Sequence, residues 1–499
     1  MSLHAQLSPE AQARLAAQKR TSTLTSLVIA LLLMVLVGVI LMIIAMASNV
    51  KITPQMVSYN GTAESEENLK QKKVQTQIER KPAAPSASMS KVIAANTTSP
   101  TAVPVPEIDV PDPSTDFGDG NDFGDGWGDG DGSGSGGGFG NIPTEMKKRC
   151  SKADRLQRLT DGGGTPACED AVVKSLDWLK STQAKNGSWT NKPTSMTGLA
   201  LLAYLGHCET AGSEKYGETV LAAITFLVDK ALKNNGKLAD DFKDNHWCYE
   251  HAIATYALAE AYTLCVKSFN ENIPDLDKAV MEAGQFLINS QHKGGGWDYA
   301  YSEDSGRGGD TSIVGWHLQA LKACKFTGLD FVNMKKCYEK GLDYLERMQA
   351  PSGAFGYSSP NGVHGDGTTL AAVGALCFQI WEKSSAKEAR QAVKFMHKEM
   401  KFGWNTADAD IYGHYYAVQA MINHGGKEWE KYNAMFRDEV LNNQNADGSY
   451  KDLGGGNKVN AVAASFVGNN GMANHYRTCL ATLMLEAYYR FLPGTGQKN

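Results

Sequence analysis

Cysteine is absent from the first 149 residues of this 499-residue chain. The nine that follow, Cys150, Cys168, Cys208, Cys248, Cys265, Cys324, Cys337, Cys377 and Cys479, include no Cys-x-x-Cys pair and no metal-finger spacing, which argues against a structural zinc finger. Their number is odd, and several sit in apolar runs such as Ala375-Leu376-Cys377-Phe378, so most read as buried free thiols acting as small hydrophobes. Cys150 and Cys168, at the entrance of the globular part, are the best disulfide candidates. Lys and Arg are missing between Glu107 and Asp131, where nine acids fall, and neither half of the chain has the basic character of a nucleic-acid binder.

Charge is missing from Leu27 to Ala47, a run of Leu, Val, Ile and Met long enough to cross a hydrocarbon core of about 30 Å. Arg14, Lys19 and Arg20 precede it, whereas Lys51 is the only base soon after it. The positive-inside rule therefore implies a single-pass membrane protein with a cytoplasmic N-terminus and an extracytoplasmic, periplasmic C-terminal domain. Residues 50 to 115 are rich in Pro, Ala, Ser and Thr, and residues 116 to 140 repeat Asp-Phe-Gly-Asp-Gly before running into Gly and Ser. Such compositions bury too little apolar surface to offset the entropy of ordering, so they read as a solvated tether. Loose Ca²⁺ capture by its Asp-Gly turns is disfavoured, because the full nonapeptide pattern is lacking.

From about residue 145 the pattern becomes amphipathic and repetitive. Four copies of one phrase align: Leu179-xxx-Gln183-xxx-Gly187-x-Trp189, Leu287-xxx-Gln291-xxx-Gly295-x-Trp297, Leu345-xxx-Gln349-xxx-Gly353-x-Phe355 and Val440-xxx-Gln444-xxx-Gly448-x-Tyr450. Weaker copies lie near Leu227 to Gly236 and near Met396 to Trp404. Each copy closes an amphipathic helix, such as the one in which Val172, Leu176 and Leu179 share a face. The Gly then supplies the left-handed turn and the aromatic covers it. A second, more apolar helix follows each junction, beginning near Met196, Tyr249, Asp310, Gly367, Ile411 and Tyr476. Helices apolar all round are buried ones. The expected fold is therefore all-α: a closed (α/α)₆ toroid of six helical hairpins. The expected organisation is a tail at 1–26, a transmembrane helix at 27–47, a disordered linker at 48–144 and the toroid at 145–499.

The repeated phrase resembles that of squalene and hopene cyclases and of protein prenyltransferase β subunits, over roughly residues 165 to 492. The resemblance implies the toroid fold, but activity must be argued from site residues. Hopene-type cyclases carry an Asp-x-Asp-Asp-Thr segment whose central acid protonates a polyene. Here Arg307-Gly308-Gly309-Asp310-Thr311 keeps only the last Asp and the Thr, and Asp408-Ala409-Asp410-Ile411 lacks the third acid. Prenyltransferases hold zinc with Asp, Cys and His. In this chain Ser312 stands in the Cys position, and Asp410-Ile411-Tyr412-Gly413-His414 places its His one residue late, about 100° around a helix. Zinc is thus possible in residue type but unsupported by motif, and no other cofactor is implied.

If the six inner helices run parallel, their N-termini converge at one mouth of the barrel, where their dipoles add. The polar residues near those N-termini include Glu250, His251, Asp310, Thr311, His364, Asp366, His414, Tyr415, Tyr416, His475 and Arg477. Asp310, Glu250 and His414 are the catalytic candidates. His251, Thr311, Asp366, Tyr416, His475 and Arg477 are the ligand-binding candidates. His251, Asp310 and His414 could meet as a metal or acid/base cluster. The plainer reading makes the acids and Thr helix caps and the histidines satisfied core groups. Three functions follow: a binding module displayed at a membrane for a lipid, peptide or protein, an isoprenoid-processing enzyme of cyclase or prenyl-transfer type, and a glycan hydrolase or lyase.

Overall fold

The computed structural model describes residues 149–303, 306–381, 385–454 and 471–490. Fourteen α-helices run through them: α1 Lys152–Asp161, α2 Pro166–Thr182, α3 Pro193–Gly206, α4 Gly217–Lys233, α5 Trp247–Ala261, α6 Leu276–Asn289, α7 Thr311–Phe326, α8 Met334–Met348, α9 Thr368–Ile380, α10 Lys387–Glu399, α11 Ile411–His424, α12 Gly426–Asn442, α13 Gly471–Leu485 and α14 Ala487–Arg490. A π-helical segment, Tyr262–Ser268, continues α5.

The hairpins close into a ring. Helix α3 packs on α5, α5 on α7, α7 on α9, α9 on α11, α11 on α13, and α13 returns to α3. Helices α2, α4, α6, α8, α10 and α12 form the outer layer, each resting on two consecutive inner helices. The sequence pattern explains the division. In α8 the buried residues are Cys337, Gly341, Leu342, Tyr344, Leu345 and Met348, one stripe of a helix otherwise facing water. In α5 every residue from Trp247 to Ala261 is buried except Tyr249. One layer needs a polar face and the other has no use for one.

The repeated phrase holds neighbouring hairpins together. The Gln183 amide donates to the Gly187 carbonyl and to the Thr219 carbonyl of the next outer helix, 3.0 Å each. Gln291 joins Gly295 to Cys337 in the same way, at 2.8 Å and 2.8 Å. The Trp189 and Trp297 indoles turn back to the Leu179 and Leu287 carbonyls. Gly187 has φ +86°, and a Cβ there would lie 2.2 Å from the Ala222 carbonyl oxygen of the next outer helix, so turn and close approach both demand glycine. At the last junction Gly448 (φ +94°) meets Lys174 of α2, and Gln444 donates to Ala171 of α2. The last phrase thus grips the first hairpin, and the ring has no free end.

Two expectations need correction. The tail 1–26, the span 27–47 and the linker 48–144 lie outside the described residues. Among the described residues no helix is long and apolar enough to cross a membrane. The longest have 17 residues, about 26 Å at 1.5 Å per residue, and they are amphipathic outer helices. The described residues therefore supply no helix for the single-pass architecture, for its cytoplasmic and periplasmic sides, or for the membrane as a partner. The second correction concerns the disulfide. Cys150 pairs with Cys208 (Cα–Cα 5.0 Å), and Cys168 is one of seven buried free thiols. Cys208 follows directly on the C-cap of α3, where the chain entering at Cys150 crosses it.

Candidate active site

The inner helices begin at one end of the ring. Across that end the Tyr249 hydroxyl on α5 lies 2.7 Å from Ser312 Oγ on α7, and Thr369 on α9 donates to Asp410 at the head of α11. Tyr249, Thr369, Asp410 and Tyr476 are partly exposed. Tyr249, Asp410 and Tyr476 are nonetheless surrounded by protein deeply enough that burial dominates their titration. Accessible groups enclosed in this way line a recess. Tyr412 stands between two acids, sensing both the Asp310 and the Asp410 carboxyl.

The floor of the recess is aromatic. Trp316 of α7 stacks on Tyr415 of α11 with ring centroids 5.4 Å apart, and meets Tyr416 edge-on at 5.7 Å. Helix α9 separates α7 from α11 in the ring, so these rings meet across the axis. The Tyr415 hydroxyl also donates to Gln319 of α7, 3.2 Å away. Tyr412 rests on Tyr416 at 5.3 Å, and the Tyr412 and Tyr416 hydroxyls have no hydrogen-bond partner of good geometry. The result is a cup whose partly exposed, hydroxyl-bearing rim lies over a buried aromatic floor, in which Tyr415 and Tyr416 have no exposed surface and Trp316 is 2% exposed. Beyond the floor, at the opposite end of the ring, Arg490 bonds to Glu260, which also receives Arg149, and α1 packs on α14.

Two aspartates serve the cup differently. Asp310 is fully buried and caps α7, its Oδ1 accepting from Ser312 N (2.8 Å), Ser312 Oγ (2.6 Å) and Ile313 N (3.4 Å). Burial pushes its pKa up against these donors. Asp410 caps α11, with Oδ1 accepting from Gly413 N at 3.2 Å and Oδ2 from Thr369. Burial lifts it to about 6, and the Asp366 charge adds to the rise. Asp410 is therefore an acid near neutrality that keeps contact with the recess.

The other expected site residues face away from the axis. Burial, reinforced by the charge of Asp240, pushes Glu250 up to about 7 against the pull of Lys192, whose ammonium is 3.4 Å away. Glu250 also accepts from Asp240 N at 2.8 Å, so it ties the Asp240 loop to the start of α5. His251 accepts from Leu238 N (3.1 Å) and packs on Phe286 of outer helix α6. His414 lies 2.8 Å from the Tyr432 hydroxyl of outer helix α12 and 3.1 Å from the Lys401 carbonyl. His475 bonds to the Met196 carbonyl and packs against Trp189 at 5.8 Å. Burial depresses all three, His251 to about 3 and His414 and His475 to about 4, so they are neutral core groups. Thr311 donates to the Gly356 carbonyl, Asp366 is an exposed cap for Thr368, and Arg477 bonds to Asp452 and to the Tyr450 carbonyl.

His251, Asp310 and His414 thus do not meet, and among the described residues no group of three His, Cys, Asp or Glu could hold a metal ion. Of the nine candidates, the two nearest the cup are both fully buried, Tyr416 in the aromatic layer beneath it and Asp310 directly behind its wall. Tyr249, Ser312, Thr369, Asp410, Tyr412 and Tyr476 were missed. A signal existed for most of them: a hydroxyl recurs in the first turn of four inner helices, as Tyr249, Ser312, Thr369 and Tyr412.

Fold and recess together define an α/α toroid with an enclosed, aromatic-floored cup. No family model and no curated protein sequence matches the chain. Solved structures that resemble it include the type II terpene cyclase MstE from Scytonema. An aspartate-to-alanine variant in complex with merosterolic acid A, its product, is 12% identical at TM-score 0.42, covering 68% of this chain and 99% of that one. An aspartate-to-asparagine variant holding geranylgeranyl dihydroxybenzoate, its substrate, is 12% identical at TM-score 0.41, covering 68% and 98%. The apo enzyme is 11% identical at TM-score 0.41, covering 65% and 98%. No residue role follows from a likeness this distant. The expectation of a membrane-displayed binding module is corrected on other grounds: among the described residues no helix is long and apolar enough to provide the membrane anchor it required.

Proposed function

We propose that the toroid is an enzyme that starts a reaction of an apolar, isoprenoid-type alkene by protonating it, with Asp410 as the acid. The observation that supports this reading is the pairing of Asp410 with an aromatic floor inside one recess. Desolvation raises Asp410 to about 6, so its acid form predominates below that pH. Its conjugate base is prearranged, because the Thr369 hydroxyl, the Gly413 N–H and the N-terminus of α11 all point at the carboxylate and favour proton loss once substrate has displaced water. Tyr412, which keeps some exposed surface over the buried rings of Trp316 and Tyr416, then offers a π face to the cation that protonation creates. A glycosidase reading fits less well, since it needs two carboxyl groups flanking the bond to be cleaved and Asp310 has no exposed surface.

The test is turnover. The full chain is incubated with farnesol, geranylgeraniol and squalene in D₂O between pH 5 and 8, and the products are analysed by mass spectrometry. The expected outcome is an isomerised product carrying deuterium, lost by a factor of about 10² to 10⁴ in Asp410→Asn. Absence of product from all three polyenes, or undiminished product from Asp410→Asn, would overturn the reading.

A further inference from the structure

We infer that Tyr249 is the base that ends the reaction, passing the proton it receives through Ser312 to Asp310. The inference deepens the acid-initiated reading and rests on it. Its ground is the direction of four hydrogen bonds. Ser312 has one hydroxyl proton, and Asp310 Oδ1, 2.6 Å away and already accepting from two backbone N–H groups, is an acceptor for it. The 2.7 Å contact between Ser312 Oγ and the Tyr249 hydroxyl must then be donated by Tyr249. With its proton turned toward Ser312, the phenol presents lone pairs to its remaining surroundings, and Tyr249 is partly exposed in the recess. Asp310, with no exposed surface, reaches the recess through this chain, the Tyr357 hydroxyl being the other side-chain partner of its carboxyl.

The step balances without any co-reactant. A C–H bond beside the carbocation breaks, and its electron pair becomes the new alkene. The proton goes to Tyr249 Oη, the tyrosine's own proton moves to Ser312 Oγ, and the serine's proton moves to Asp310 Oδ1. Burial favours the neutral carboxylic acid so formed. Asp410 supplied one proton and Asp310 receives one, so the substrate is isomerised with no net change in composition. Both aspartates return to their starting states by exchange with water, Asp410 directly and Asp310 back through Ser312 and Tyr249. The reaction class this defines is a cyclisation or double-bond shift that ends in elimination rather than in capture of water.

Two measurements on the full chain test this, one of them independent of any substrate. In infrared titrations with ring-labelled tyrosine, Asp310→Asn assigns the Asp310 carboxyl band and Tyr249→Phe assigns the Tyr249 C–O band. The Tyr249 band should shift at the same pH midpoint as the Asp310 band. That coupling should be lost in Ser312→Ala and restored in Ser312→Thr. A Tyr249 band indifferent to Asp310 titration overturns the relay whether or not turnover is found. With squalene or geranylgeraniol in D₂O, Tyr249→Phe should still incorporate deuterium but shift the alkene-to-alcohol ratio at least about tenfold toward alcohol. An unchanged ratio overturns the relay while leaving Asp410 as the acid. Failure of wild-type turnover overturns the acid-initiated reading and, with it, the assignment of the coupled oxygens to catalysis.

Discussion

Where the inner helices stop, Arg149, Arg155 and Arg490 meet Glu169, Glu260 and Glu486, with His207 against Glu169, and all are buried. Where the inner helices begin, Asp410, Tyr249, Thr369 and Tyr476 stay within reach of water. At the open end Asp310 and Asp410 sit at helix N-termini, where the dipole favours them, whereas at the closed end Glu260 and Glu486 sit at inner-helix C-termini and are held there by arginines. The two ends also differ in what covers them. The C-terminal end receives α1 and α14, the first and last described helices, and the Cys150–Cys208 disulfide ties the incoming chain to α3. One end of the ring is thus closed and the other open, and substitutions at the two should separate stability from the proposed activity.

The largest effect is expected at the closed end. Arg490→Ala removes the 2.7 Å partner of buried Glu260 and the nearest cation to Glu486, and should cost about 3–5 kcal/mol in denaturant unfolding. A loss under about 1 kcal/mol would mean that water reaches these acids and the end is not sealed. Reducing Cys150–Cys208, which spans 58 residues, should cost about 2–4 kcal/mol and lower Tm while leaving the order of pKa values at the open end intact.

The pH dependence comes next. Burial holds His251 and His317 at about 3 and His414 and His475 at about 4, so the folded chain leaves them neutral while the unfolded chain protonates them below about 6.5. These four contribute stability that is present above pH 6.5 and lost on acidification. Asp410, Glu250 and His207 act the other way, since their raised values hold protons that the unfolded chain releases. Asp310 and Glu486 are raised by burial as well, so the imidazole contribution is read as a difference: between pH 6.5 and 4, His414→Gln should lose less Tm than the wild-type chain. An identical pH dependence in the two would show that the His414 imidazole reaches water.

The smallest effect belongs to the open end. Tyr412→Phe removes a hydroxyl that makes no good hydrogen bond and should change stability by no more than about 0.5 kcal/mol. A cost above about 1.5 kcal/mol would reveal a bonded network at the rim and blur the contrast between the two ends.

The repeated phrase made the ring legible from the chain alone. Gln, Gly and the aromatic recur because each hairpin must meet the next at the same angle, and Gly187 and Gly448 show that constraint in their φ values and their contact with the following outer helix. The outer helices were legible for a related reason, since water on one side and core on the other give their residues a phase. The inner helices have no such phase. Buried all round, α5 and α11 carry nothing in their sequence to tell Tyr249 from Glu250 or Tyr412 from His414, and a step of one residue turns the side chain by about 100°.

That ambiguity is why the sequence pointed to the correct turns of the correct helices and mostly to residues beside the cup. Composition and periodicity determined by themselves that the helices form two layers and where each hairpin breaks, because burial and backbone geometry act locally on every repeat. Only the tertiary structure decided which first-turn residues look inward, that Cys150 reaches Cys208, and that Asp410 opens to the recess while Asp310 lies behind Ser312. The rotation of a wholly buried helix is set by its neighbours on both sides.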